Sequence, residues 1–246
     1  MIKFFRKIRQ KLLSENKFSK YLIYAIGEII LVVIGILIAL QINNWNTERE
    51  NKKLKTVYLQ ALVNDLTKDT VDINRIVQIQ KADLESTQNF LKRIHSTTAT
   101  IDTIIKMAKK EYNYSFSVKR DYANNTFNTI ISSGNIELFD KELVEMLMDL
   151  NSLQIDQLER FDSHIDYYQN IMSDFMASFP IYSEVTKYDL VDRIIWNDIN
   201  EKELIGKFTA GLGIRLFMFK NTVSGHLRVK EKSVEIINFI ENDFEK

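Results

Sequence analysis

The apolar run from Leu22 to Leu40 constrains this chain more than any other feature of its sequence. Its nineteen residues, LIYAIGEIILVVIGILIAL, contain one charged side chain, Glu28. Because an α-helix rises about 1.5 Å per residue, roughly 20 apolar residues cross the hydrocarbon core of a bilayer. No later part of the chain is as long without a charge. The sequence therefore predicts a transmembrane helix over residues 21–42, with a lipid bilayer around it.

Charges on the two sides of this helix predict its orientation. Residues 1–20 carry seven basic side chains and one acidic side chain, a net charge of +6, whereas four basic side chains follow the helix within fifteen residues. Cytoplasmic segments carry the excess of Lys and Arg in membrane proteins. We therefore expect a cytoplasmic N-terminus, a bacterial inner-membrane location and a periplasmic domain over residues 43–246. The leader itself has the spacing of an amphipathic helix in the membrane plane, or serves only as a charged segment that holds the orientation.

Aromatic residues flank the apolar run where a membrane interface is expected. Tyr21 and Tyr24 stand at its start, and Trp45 follows its end. Such residues collect at the boundary between hydrocarbon and headgroups, so these three are predicted interface anchors. The end of the run, IALQINNWN, lacks a convincing cleavage site with small residues, which favours an uncleaved signal anchor over a signal peptide.

Three residues within the predicted span are candidates for contact with another helix. A carboxylate such as that of Glu28 costs free energy inside a membrane and often marks contact with a partner. Snorkelling or protonation near the start of the helix would also explain its presence there. Gly35 and Ala39 form a small-xxx-small pair that lets a second helix approach closely. The partner would be another membrane protein or a second copy of the chain.

The remaining residues predict an all-α fold, in which the transmembrane helix continues into an antiparallel helical bundle. One proline and seven glycines in 246 residues are too few for the turns of an all-β domain. Helical spacing without Gly or Pro extends the first helix to about residue 95, and a core stripe in steps of three and four runs from Leu158 to Phe179. Gly134 is expected to end one helix, and Asp140 and Asn200 to begin others.

The last helix is predicted with two features of its own. Gly211 and Gly213 indicate a kink or a restart of the chain, because glycine weakens helices. The helical spacing that follows predicts an inward face made of Leu216, Val223, Leu227, Val234, Ile237 and Phe244.

The sequence offers little for catalysis or for metal binding. It has no cysteine, and its histidines, His95, His164 and His226, are far apart and lie in no ligand motif. Asp162 and Asp166 share a helical face that could bind a hard cation, but a solvated face explains them better. We predict no catalytic residue, no metal and no cofactor. The net charge of about −5 over residues 43–246 also argues against nucleic acid as a partner.

Two segments resemble a large family of uncharacterised bacterial single-pass membrane proteins, a domain of unknown function. The first is the N-terminal signature KYLIYAIGEIILVVIGILIALQINNWN, and the second is TFNTIISSGNIELFDKEL over residues 126–143. The resemblance implies an anchor and a helical extramembrane domain, and it brings no catalytic residue with it.

Two functions fit these expectations. The first is a non-enzymatic interaction or scaffold module of the cell envelope, acting through the span and the bundle surface. The alternative is a periplasmic ligand-sensing bundle that signals through a partner membrane protein, because helical bundles hold small molecules between their helices.

Overall fold

The computed structural model describes residues 18–116, 121–181 and 189–244, and these residues contain α-helices and no β-strand. The predicted all-α fold is therefore confirmed, whereas most of the basic leader lies outside the described residues. The six α-helices of the described ranges are α1 (Phe18–Ile94), α2 (Ile101–Lys106), α3 (Asn125–Ser132), α4 (Lys141–Ser178), α5 (Asp189–Asn197) and α6 (Glu201–Phe244). A π-helical turn, Met107–Glu111, follows α2, and a 3-10 turn, Asn135–Leu138, follows α3.

The chain divides into two compact units, Met1–Val57 and Tyr58–Lys246. In the described part of the first unit, the apolar run belongs to the uninterrupted helix α1, as predicted. Its large apolar side chains are exposed along the whole run, because no other described segment of this unit packs on them. The helix is long and apolar enough to cross a membrane.

Helices α4 and α6 form the main pair of the second unit, and they run antiparallel. Phe175 near the end of α4 contacts Phe208 near the start of α6, with ring centroids 5.7 Å apart. Farther along α6, Gly225 lies against Gln157, which comes earlier in α4. The antiparallel bundle is therefore as predicted.

Two hydrophobic clusters form the core of the second unit. One packs the predicted stripe of α4 against the first half of α6 and the segment around Tyr112. Trp196 closes this cluster, because its ring is buried and its indole N–H donates to the Pro180 carbonyl at 3.3 Å. The other cluster packs α1, α3 and the first half of α4 against the second half of α6.

Capping residues in the sequence predicted several helix ends correctly. Gly134 follows α3 with a φ of 72°, a left-handed conformation that glycine adopts without steric cost. Asp140 occupies the position before α4. The Asn200 side chain accepts a hydrogen bond from the Glu203 backbone N–H at 3.2 Å, which stabilises the start of α6.

The structure corrects two predictions about the last helix in part. Helix α6 continues through Gly211 and Gly213 without a restart. A Cβ on Gly211 would overlap the Met172 sulfur, so this glycine allows α4 to approach closely. The inward face was misplaced in part, because Leu227 is 41% exposed and Val234 is 38% exposed. Val223 is buried and Ile237 packs against the core, as predicted, and the side chain of Phe244 lies outside the described part of the structure. The buried face of α6 instead includes polar side chains, namely Arg215, Thr222, His226 and Ser233.

Candidate functional site

A buried arginine on α6 is the chemically most distinctive feature of the second unit. The Arg215 side chain is 3% exposed, and its Nη2 lies 3.3 Å from a carboxylate oxygen of Asp83 on α1. Its Nη1 donates to the hydroxyls of Tyr112 and Tyr168 at 3.2 and 3.4 Å. The two hydroxyls are themselves 3.0 Å apart. One guanidinium thus joins α1, α4 and α6, and we call these four residues the Arg215 cluster.

The same guanidinium holds the segment that leaves the π-helical turn. Residues 112–116 form neither helix nor strand, so their backbone carbonyls need partners other than a regular hydrogen-bond ladder. Arg215 donates to the carbonyl of Asn113 at 2.5 Å and to that of Ser115 at 3.1 Å. A fork of several N–H donors suits this task better than a lysine ammonium would.

Aromatic rings also pack around the guanidinium group of Arg215. The guanidinium carbon lies 5.0 Å from the Tyr112 ring centroid, 5.3 Å from that of Phe219 and 5.8 Å from that of Phe116. Cation–π attraction contributes about 2 kcal/mol or more at desolvated sites, so these rings offset part of the cost of burying the charge.

Tyr112 and Tyr114 remain protonated near neutral pH. Burial, together with the neighbouring Tyr168, raises the pKa values of Tyr112 and Tyr114 well above the ordinary value of 10.0. Their hydroxyls therefore act as hydrogen-bonding groups and not as bases. The Arg215 cluster is built to position three helices and one connecting segment around a balanced pair of charges.

A cleft of about 730 Å³ opens beside the Arg215 cluster, between α4 and residues 114–116. Ser115, Phe116 and Tyr168 belong to its wall and also contact Arg215. Its remaining lining is apolar with a few polar groups: Tyr114, Ile165, Gln169, Met172, Ser173, Met176 and Ala177. Clefts of this size and composition are typical of small-molecule sites.

The residues predicted from the span lie on α1, in the first unit. Glu28 is half-buried, and Gly35 and Ala39 are exposed, with open space around a Cβ built on Gly35 apart from the adjacent residues and backbone of its own helix. Gly35 comes seven residues after Glu28, and Ala39 comes four residues after Gly35. Helical periodicity therefore places all three on one face of α1. Their role in helix contact stays a prediction.

The interface anchors lie at the two sides of the same apolar run. Tyr24 and Trp45 are exposed on α1, and Tyr21 lies on the same helix, its side chain outside the described part of the structure. Their position at a membrane interface also stays a prediction.

Among the described residues, the three histidines and the Asp162 and Asp166 pair do not converge on one another. His95 bonds to the Leu91 carbonyl, His164 packs edge-on against Phe217, and His226 is buried with its Nδ1 3.2 Å from the Tyr122 hydroxyl. Asp162 and Asp166 are exposed. Across residues 18–116, 121–181 and 189–244, no three His, Cys, Asp or Glu side chains are grouped as a metal site would need.

Arg215 was missed by the sequence argument, although a signal for it exists. Phe208, Leu212 and Phe219 are buried and follow steps of four and seven along α6. Arg215 falls three residues after Leu212, on this same face. A basic residue on an apolar helical face is the pattern that would have predicted a buried charge with a partner.

Comparison with known proteins identifies one family. A model described as "Family of unknown function (DUF6090)" matches residues 28–150 of the 246-residue chain. The match begins inside the apolar run and includes the block over residues 126–143. No curated protein and no solved structure matches the chain.

Proposed function

The chain belongs to the DUF6090 family of unknown function, and we propose that it is a single-pass membrane protein whose helical domain is a non-enzymatic interaction module of the cell envelope. One observation supports the proposed membrane anchor: the apolar window of α1 has a mean hydropathy of 2.7, and none of it is buried within the fold. A lipid bilayer would remove this surface from water, at about 25 cal/mol per Å² of apolar area.

The proposed topology has the N-terminus in the cytoplasm of a bacterium and residues 43–246 in the periplasm. It is supported by the net charge of +6 on residues 1–20, against four basic side chains just after the span. Protease added to intact spheroplasts should degrade a C-terminal epitope, and a cytoplasmic marker protein should survive. Full protection of the epitope, with degradation after lysis, would reverse the topology.

Interaction through the span is supported by Glu28, Gly35 and Ala39 on one face of α1. The chain contains no cysteine, so a single introduced one reports cross-linking without background. Ala39→Cys should give a disulfide-linked dimer in membranes, or a heavier adduct with a partner that carries its own cysteine. Leu37→Cys, on nearly the opposite face, is the control and should give far less. Equal cross-linking at both positions would argue against a specific face.

A second candidate function is ligand sensing, and the cleft beside the Arg215 cluster favours it. A molecule bound there would contact Ser115, Phe116 and Tyr168, which also contact the arginine that joins three helices. Occupancy would therefore change the packing of the bundle.

Thermal-shift screening of the full chain in detergent tests the sensing function. A genuine ligand raises the unfolding temperature saturably, because it binds the folded state alone. Ala177→Trp fills the cleft from an exposed position and should abolish that shift. Asn170→Trp, exposed on α4 outside the cleft lining, should retain it. If no compound shifts the wild type, or if both variants respond equally, sensing at this cleft is rejected.

A further inference from the structure

A second pocket, of about 190 Å³, lies along one edge of the α4–α6 pair. Arg160 and His164 line it from α4, four residues apart, while Asn221, Ser224 and Arg228 line it from α6 in steps of three and four. These spacings place each set on one helical face, so both helices direct polar side chains to the same groove. We call this the basic pocket.

The charged side chains that line the basic pocket are all basic. Two guanidinium groups, an imidazole, two hydroxyls and two side-chain amides line it, and no carboxylate of the described residues does. Arg160 forms an ion pair with Asp156, in which its Nε donates to both carboxylate oxygens at 2.8 Å, and this leaves its terminal N–H groups as further donors. Arg228 has no ion pair within the described part of the chain. Guanidinium groups present N–H donors in a fork that matches phosphate and carboxylate oxygens.

His164 lies in the basic pocket close enough to Arg160 to be affected by its charge. Burial against the ring of Phe217, followed by the nearby Arg160, holds the pKa of His164 below its ordinary value of 6.5. The imidazole is therefore neutral at pH 7 and can still donate one N–H. A bound anion would counter the effect of Arg160 and raise this pKa, which makes His164 a built-in reporter.

The geometry points to an anion site: the basic pocket binds the phosphate group of a small ligand, held between Arg160 and Arg228 with His164 and Ser224 as additional donors. Donors arrive from two antiparallel helices and thus from different directions, as a tetrahedral oxyanion requires. Small-molecule sites usually have volumes of about 300–1,000 Å³, so this pocket accommodates a headgroup-sized anion and not a nucleotide. The inference is independent of the proposed membrane function.

Inorganic phosphate is the probe, and the full chain in nanodiscs of zwitterionic lipid is the sample. Phosphate replaces chloride at constant ionic strength, while the ring signals of the three histidines are followed by NMR. The His164 signal should move saturably and its pKa should rise, whereas His95 should not respond. Arg160→Gln and Arg228→Gln should each weaken binding by about tenfold, the effect of losing one charge-assisted hydrogen bond.

Lys202→Gln is the matched control, because it removes one exposed positive charge from the first turn of α6, far from the pocket. Its phosphate affinity should stay at the wild-type value. A second sample, with anionic phospholipid in the nanodisc and no free phosphate, identifies the source: a His164 shift there assigns the site to a lipid headgroup, and its absence assigns it to a soluble phosphate. No saturable His164 shift in either sample, or equal weakening by Lys202→Gln, would overturn the proposal.

Discussion

Arg215 and Asp83, 132 residues apart in sequence, form a charge pair with 3.3 Å between Nη2 and Oδ1. The arginine side chain is 3% exposed and the aspartate side chain 22%, so the pair is largely removed from solvent. Pairs of this kind mainly specify which surfaces meet, because desolvation offsets most of their attraction. In this protein the pair joins α6 to α1 at one point of their contact.

Arg215→Met should destabilise the second unit strongly. Removing one partner of a buried pair costs about 3–5 kcal/mol, and we expect about 3 kcal/mol because Asp83 keeps some contact with water. Urea unfolding of the full chain in detergent, followed by circular dichroism, measures the change. Arg75→Met is the matched control, because the Arg75–Asp72 pair on α1 is exposed and its loss should cost at most about 1 kcal/mol. Equal effects of the two changes would refute a special role for Arg215.

Two glycines of α6 should respond oppositely to alanine. A Cβ on Gly225 would overlap the Gln157 side chain, which donates to the Thr222 carbonyl at 3.3 Å, so Gly225→Ala should cost about 1–3 kcal/mol. Gly213 has open space around it, and Gly213→Ala should stabilise the helix by up to about 1 kcal/mol. Thermal unfolding of both variants checks this pair. Stabilisation by Gly225→Ala would mean that the helices do not approach so closely.

Asp69→Asn should loosen the start of α3. The buried Asp69 carboxylate accepts the Ala123 backbone N–H with both oxygens at 3.1 Å, and an amide offers one acceptor in place of two. The loss should cost about 1–3 kcal/mol and speed hydrogen exchange in α3. Asp65→Asn is the comparison, because Asp65 accepts the Thr126 N–H from a partly exposed position and should matter less. An unchanged exchange rate in Asp69→Asn would contradict this assignment.

Glu111 should make stability depend on pH in the acid range. A hydrogen bond from Arg93, with further help from Lys106 at 3.5 Å, holds the pKa of Glu111 below its ordinary value of 4.5. A folded-state pKa below the unfolded value gives stability that is present above about pH 4.5 and lost as pH falls through the folded pKa. Glu111→Gln should therefore be less stable than wild type at pH 7, and the difference should vanish in acid. Glu85→Gln, exposed on α1, is the control; a difference that persists in acid would exclude this linkage.

Sequence patterns were reliable wherever neighbours along the chain decide the outcome. The uninterrupted α1, the left-handed Gly134 and the Asn200 cap each depend on a few adjacent residues. The stripe predicted from Leu158 to Phe179 was also correct: Leu158 is partly buried and every later position is buried, because all of them are apolar and lie on one face of the helix. In each case the local preference and the tertiary packing agree.

The sequence did not fully predict which face of the second half of α6 is buried. Its sequence offers two competing faces, one with Leu227 and Val234 and the other with Thr222, His226 and Ser233. Hydropathy favours the first face, and the structure buries the second. Burial of polar groups requires partners, and these partners, such as Tyr122 for His226, come from about one hundred residues away.

The sequence by itself thus determined the membrane-length apolar helix, the all-α class and most helix ends, because hydropathy, propensity and capping act over one to five turns of helix. Only the tertiary structure decided the rotation of α6, the burial of Arg215, the cleft beside Arg215, and the basic pocket. Those features depend on which distant donors and acceptors meet, and on glycines that let two helices approach closely. No local pattern contains that information, because the free energy of a buried polar group depends on partners that folding brings to it.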